Sequence, residues 1–177
     1  MALASTLPLA LATAAPSFHR AAAPRPASVN AAYTTASTNV SPHGPGQVGA
    51  YGDVPALGGP GARAAAPVGA MAATPTGRGY WLAGTDGGIF AYGDAGFHGS
   101  AGDAHLRQPI VGIAATPSGN GYWLVAADGG ILTYGDAHFH GSAGDAHLSQ
   151  PIVGMVATPD GNGYWLVAAD GGIYAYG

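Results

Sequence analysis

The sequence contains no cysteine, which excludes a disulfide framework, thiolate zinc sites and a cysteine nucleophile. Charge is nearly as scarce: 8% of the residues are charged, five basic against nine acidic, for a formal net charge of −4. So few cations cannot build a patch that neutralises several phosphates, so no nucleic-acid partner is expected. No Lys/Arg-rich amphipathic stretch marks a membrane-surface helix. The apolar run from Met1 to Ala15 is shorter than the roughly 20 residues that span a bilayer. The chain also lacks a Gly-x-Ser-x-Gly elbow and a phosphate loop, since neither a Lys nor a helix follows Gly129-Gly130. No cofactor is expected, and no catalytic residue stands out.

Glycine, by contrast, is abundant. With 31 Gly and 14 Pro, about a quarter of the 177 residues are conformational punctuation. Unpatterned, that composition indicates disorder. Here the glycines recur in register with aromatic and branched side chains, which marks a fold. Trp81, Trp123 and Trp165 are spaced 42 residues apart, and Pro67, Pro109 and Pro151 keep the same interval. Pro109–Gly135 and Pro151–Gly177 share 22 of 27 residues, and Asp94–Gln108 and Asp136–Gln150 share 13 of 15. A more diverged half-unit begins at Tyr51-Gly52-Asp53. Periodicity at this length is the mark of a repeat architecture.

Ahead of the repeats, residues 1–20 read as a secretory signal peptide, with an apolar region and the small-x-small site Ala12-Thr13-Ala14. No basic residue precedes the run, the first being Arg20, so an alanine-rich tail is the alternative. Residues 21–47 read as an Ala/Pro/Ser/Thr linker, and its Asn39-Val40-Ser41 glycosylation pattern reads as an ordinary exposed asparagine. The repeat domain covers 48–177, as an opening strand within 48–66 and units 67–108, 109–150 and 151–177.

Within one unit the residues spell out four short strands: Ile110–Ala115, Tyr122–Ala127, Ile131–Tyr134 and His138–His140. Asp128-Gly129 between the second and third is a two-residue hairpin signal of type I′. Along the second strand Tyr122, Leu124 and Ala126 share one face and Trp123, Val125 and Ala127 the other. Both faces are apolar, as in a sheet covered on both sides. Four strands in about 42 residues match the period of a β-propeller blade.

The string Gly-Tyr-Trp-Leu-Val-Ala-Ala-Asp-Gly-Gly-Ile, at Gly121–Ile131 and again at Gly163–Ile173, resembles tandem repeats of exported proteins from high-GC Gram-positive bacteria. The flanking Pro-Ile-Val-Gly and Tyr-Gly-Asp-Ala-x-Phe-x-Gly-Ser strings fit the same family, and the resemblance covers about residues 48–177. It implies propeller-like blades and an extracellular setting, often beside cell-wall hydrolases, lipases or esterases. It implies no catalytic residue.

Propellers close with 4–8 blades, so three units imply a fragment, a head-to-tail homodimer closed by strand exchange, or a β-trefoil. The fold expected is thus all-β, with propeller-type four-stranded blades and the trefoil as alternative.

Chemistry could reside in a few polar and aromatic groups. Asp136, His138 and His140 alternate along the expected fourth strand and could face one way as metal ligands. Their counterparts Asp94, Gly96 and His98 lose the middle ligand, which favours a polar outer strand over a metal site. Asp103-Ala104-His105 and Asp145-Ala146-His147 recur in the loop before each Pro, where an Asp–His pair could orient a base or simply cap the loop. Tyr134, or the pair Phe97 and Phe139 with the neighbouring His98, His138 and His140, could stack on sugar rings. The expected function is a non-catalytic extracellular module that binds or displays, with a cell-wall glycan, another polysaccharide or a surface protein as partner. The alternative is an accessory piece of a secreted hydrolase.

Overall fold

The computed structural model describes residues 55–177. The expected signal peptide, linker and glycosylation pattern, and residues 48–54 of the opening strand, lie outside the described residues. Nine strands form three separate antiparallel meanders. The first sheet comprises β1 (Val68–Ala73), β2 (Gly79–Gly84) and β3 (Ile89–Gly93). The second comprises β4 (Ile110–Ala115), β5 (Gly121–Ala126) and β6 (Ile131–Gly135). The third comprises β7 (Ile152–Ala157), β8 (Tyr164–Ala168) and β9 (Ile173–Tyr176). Among the described residues the only helical element is a 3-10 turn, Gly61–Arg63.

The chain is therefore all-β, with one meander per 42-residue period. Branched and aromatic residues fill the strands, where their stiff side chains suit a pleated surface. The register repeats as well: Trp81 pairs with Ala72 and Ala91, Trp123 with Ala114 and Thr133, Trp165 with Val156 and Ala175. Alanine stands opposite each indole on at least one side (Ala72 and Ala91, Ala114, Ala175) and makes room for it.

Each sheet has three strands, not the expected four. His138–His140 forms no strand, and neither does its counterpart 96–98. The backbone of this connector is committed elsewhere. The His138 carbonyl accepts the Trp123 indole N–H at 2.7 Å, the His140 N–H donates to the Tyr164 hydroxyl at 3.2 Å, and the Gly141 carbonyl accepts that same hydroxyl. Peptide groups tied to side chains cannot also pair in a ladder. The expected opening strand is likewise absent from 55–66, which holds only the 3-10 turn. The β-trefoil is excluded by the pairing, since no strand of the described residues hydrogen-bonds to a strand of another repeat.

The hairpin turns also differ from expectation. No non-glycine residue has a positive φ among the described residues, which rules out type I′ geometry at Asp128-Gly129. Gly129 N–H donates to the Ala126 carbonyl and Gly129 alone is left-handed, at φ +84°. This is a three-residue loop ending in a glycine bulge. Asp128 stays on the right-handed side because its carboxylate accepts the Gly130 N–H at 3.0 Å. Asp86 and Asp170 do the same for Gly88 and Gly172, so all three aspartates serve their turns.

The sheets pack face on face, and the two faces of a strand have distinct partners. The Trp face of the first sheet (Trp81, Ala83) meets Ile110, Tyr122, Leu124 and Ala126 of the second. The Trp face of the second (Trp123, Val125) meets Ile152, Tyr164, Leu166 and Ala168 of the third. Strand β5 is accordingly buried along its whole length, as its two apolar faces required. Backbone bonds pin each seam. The Thr85 N–H donates to the Pro67 carbonyl of its own unit, while the Thr85 carbonyl accepts the Ile110 N–H of the next, at 2.8 and 3.0 Å. Ala127 repeats the arrangement with Pro109 and Ile152, both at 2.9 Å.

Candidate functional site

Two surfaces recur with the repeat: the connectors that ride over the seams, and the grooves beside the hairpin turns.

The connectors hold His98, His138 and His140, and the structure gives His98 and His140 packing roles. The His98 ring lies 6.4 Å from Trp81 and 5.7 Å from Tyr122, centroid to centroid. His140 sits at the same distances from Trp123 and Tyr164. Each imidazole is wedged over a seam, and its Nε2 is buried without a hydrogen-bond partner. Burial raises the Tyr122 and Tyr164 hydroxyls above the ordinary phenol pKa. They therefore stay protonated, as donation to Gly99 and Gly141 requires.

Asp136, His138 and His140 do not converge. The Asp136 carboxylate turns back to the β4–β5 loop, accepting from Thr116 at 2.8 Å and from Ser118. Those bonds, the Ser118 one foremost, hold its pKa below the usual carboxylate range. Asp94 does the same for Thr74 and Thr76, with Arg78 3.6 Å away. His138 points to solvent, and no cluster of three metal-ligating side chains occurs among the described residues. Phe97 and Phe139 are 63% and 61% exposed, the most open aromatics of the connectors.

The Asp-Ala-His loops fare differently: each lines a groove. The first groove, about 520 Å³, is lined by Asp86, Asp103, His105, Arg107, Gln108 and their neighbours between Ala66 and Pro109. The second, about 490 Å³, is lined by Asp128, Asp145, His147, Ser149, Gln150 and neighbours between Gln108 and Pro151. Every lining position of one has its counterpart 42 residues away in the other. The loops are held by the turns beside them: Ala101 N–H donates to the Gly87 carbonyl and Ala143 N–H to Gly129, at 2.9 and 3.0 Å. Ala101 and Ala143 are buried under their turns, so Asp103, His105, Asp145 and His147 are pushed out to solvent.

The structure thus joins Asp103 and His105 to Asp86, and Asp145 and His147 to Asp128. Neither Phe97 nor Phe139 lines a groove. Sequence reasoning missed Asp86, Asp128, Gln108 and Gln150 as groove residues. The aspartates had a sufficient explanation as turn residues, and only the buried alanine anchor brings turn and loop together. Chemically, a groove of carboxylates, an imidazole and a primary amide offers acceptors and donors at close spacing, open to a hydroxyl-rich ligand. Ser100 and Ser142 do not line either groove, and Ser100 Oγ accepts the Gly102 N–H as part of its turn.

No protein-family model matches the chain, and no curated protein does. Among solved structures, the hydrazine synthase of Kuenenia stuttgartiensis is similar over 57% of this chain and 29% of its own, at 13% identity and a TM-score of 0.38. The chain spans less than a third of that protein, and a likeness at this level carries no argument about fold or activity.

Proposed function

We propose that the chain is a non-catalytic binding module, acting outside the cell, whose repeated grooves hold successive units of a polysaccharide. The observation that carries this reading is the position-by-position recurrence of the groove at adjacent seams. A periodic ligand matches a periodic protein, and weak sites in series gain avidity from linkage. The grooves are open and carry exposed polar side chains, so each contact is a set of hydrogen bonds from sugar hydroxyls to the Asp103/His105 or Asp145/His147 side chains. Low net charge suits a neutral glycan. In the same reading the meanders are three-stranded propeller-type blades, a view supported by the packing of the first strands β1, β4 and β7 against one another.

The test is retention of the full chain on insoluble cell-wall glycan and on cellulose or chitin, with washing in free monosaccharide. Asp103→Ala/His105→Ala should weaken retention by about tenfold or more, and adding Asp145→Ala/His147→Ala should abolish it, in line with a two-site avidity of about 10²–10⁴. Retention unchanged by loss of both grooves would refute the reading.

A further inference from the structure

The turn that joins the first two strands of each sheet ends on a glycine that the fold demands. A Cβ at Gly121 would lie 2.6 Å from Asp136 Oδ1 and closer still to the Tyr134 carbonyl. At Gly79 it would lie 2.5 Å from Asp94 Oδ1, and at Gly163 it would run into the Tyr176 carbonyl. The residue before that glycine varies: Arg78 in the first repeat, Asn120 in the second and Asn162 in the third, both asparagines being exposed. Of the four asparagines in the sequence, these two alone precede glycine. Packing thus fixes a glycine after each of them, and glycine has no side chain to shield its amide nitrogen from the neighbouring carboxamide.

The two asparagines differ in how the carboxamide is held. Asn162 donates its side-chain amide to Asp160 Oδ2 and its backbone N–H to Asp160 Oδ1, both at 3.1 Å. In the second repeat Ser118 stands in place of Asp160 and accepts only the Asn120 backbone N–H, at 3.0 Å. The nearby Asp136 carboxylate is taken up by the Thr116 and Ser118 hydroxyls. Among the described residues the Asn120 carboxamide has no hydrogen-bond partner. Its side chain is therefore free to change rotamer and bring Cγ to the Gly121 nitrogen.

We infer that Asn120 is a self-modifying site that deamidates through a cyclic imide, whereas Asp160 protects Asn162. The Gly121 nitrogen, having lost its proton to a solvent base, attacks Asn120 Cγ. The N–Cγ bond forms as the Cγ–Nδ2 bond breaks, and ammonia leaves carrying a proton from solvent. Water then opens the imide at either carbonyl, giving aspartate or an isoaspartate whose backbone runs through Cγ. Either product adds a negative charge. Isoaspartate also takes the former Asn120 carbonyl out of the backbone, where it accepts the Asp136 N–H at 3.2 Å. It shifts the Gly121 carbonyl as well, which accepts the Thr116 N–H at 2.9 Å. The β4–β5 turn loosens, at the strand ends away from the grooves, so the inference does not rest on glycan binding.

The full chain is aged in mildly alkaline buffer beside a synthetic peptide of residues 117–124, and aspartate and isoaspartate are located by peptide mapping with mass spectrometry. Conversion at Asn120 is expected before the peptide is consumed. Asn162 should lag behind it by about fivefold, the factor contributed by one net hydrogen bond from Asp160. Asp160→Ser, which gives the third turn the serine of the second, should remove that lag. Far-ultraviolet circular dichroism confirms that this exposed substitution leaves the protein folded. An Asn120 still intact when the peptide is consumed overturns the proposal. So does an Asn162 that converts as fast as Asn120 in the wild type, or a lag that survives Asp160→Ser in the folded variant.

Discussion

Tyr164 on the third sheet donates its hydroxyl to the Gly141 carbonyl on the connector leaving the second sheet, and the same hydroxyl accepts the His140 N–H at 3.2 Å. One phenol thus satisfies two backbone groups of another repeat, and Tyr122 does the same at the seam before it. The seams are held by side chains bonding to connectors, and this sets the consequences of substitution.

Tyr164→Phe leaves the ring packing intact and strands the Gly141 carbonyl and the His140 N–H. The expected loss is about 1–3 kcal/mol of unfolding free energy, the cost of unpaired buried polar groups. Urea titration monitored by tryptophan fluorescence measures it, and Tyr122→Phe should match it within error.

Trp123→Ala removes a fully buried indole and should cost about 3–5 kcal/mol. Trp165→Ala, chemically the same change one repeat later, should cost clearly less at concentrations where the chain is monomeric, because nearly half of that indole is already in water. Equal losses in thermal unfolding would contradict the open face.

Gly129→Ala places a Cβ 2.6 Å from that of Ala143 at a residue with φ +84°. It carries both left-handed strain, about 1–2 kcal/mol, and overpacking, about 1–3 kcal/mol. Gly171, at φ +85°, has open space where its Cβ would go, so Gly171→Ala carries the strain alone. The difference in melting temperature between the two variants reports the loop anchor that shapes the second groove.

Asp136 and Asp160 have folded-state pKa values below the unfolded carboxylate. For Asp160 the Thr158 hydroxyl and the Asn162 amides bring it to about 2. A depressed carboxylate stabilises above its unfolded pKa, near 4, and that stability is lost as pH falls through the folded value. Their contribution to the melting temperature should therefore be constant from pH 7 to about 5 and be lost between about 4 and 2. Asp136→Asn should be less stable than the wild type at pH 7, with a gap that narrows over that acid range. The gap should be small, because the carboxylate is exposed to solvent.

Much of the architecture could be read from residue order. The strands β4, β5 and β6 stand where Ile110–Ala115, Tyr122–Ala127 and Ile131–Tyr134 placed them to within a residue, because branched and aromatic runs bounded by glycine have few alternatives. The two-sided burial of β5 followed from its apolar faces. His138–His140 alternates like a strand and is not one, because period-2 alternation cannot register that its peptide groups bond to Trp123 and Tyr164, one of them on the next sheet. The Asp136–His138–His140 set dissolved for the same reason. Its members were spaced for one face of a strand, and without the strand the carboxylate went to Thr116 and Ser118.

The sequence by itself determined the period, the all-β character, the two-faced apolar strands and the turn glycines, since these follow from local sterics and the spacing of apolar residues. Tertiary structure decided which face of each sheet meets the next, and that the Asp-Ala-His loops join Asp86 and Asp128 in grooves. It also decided that Trp81 and Trp123 are sealed under the sheet that follows each of them. Those outcomes depend on contacts between repeats, which residue order within one repeat does not specify.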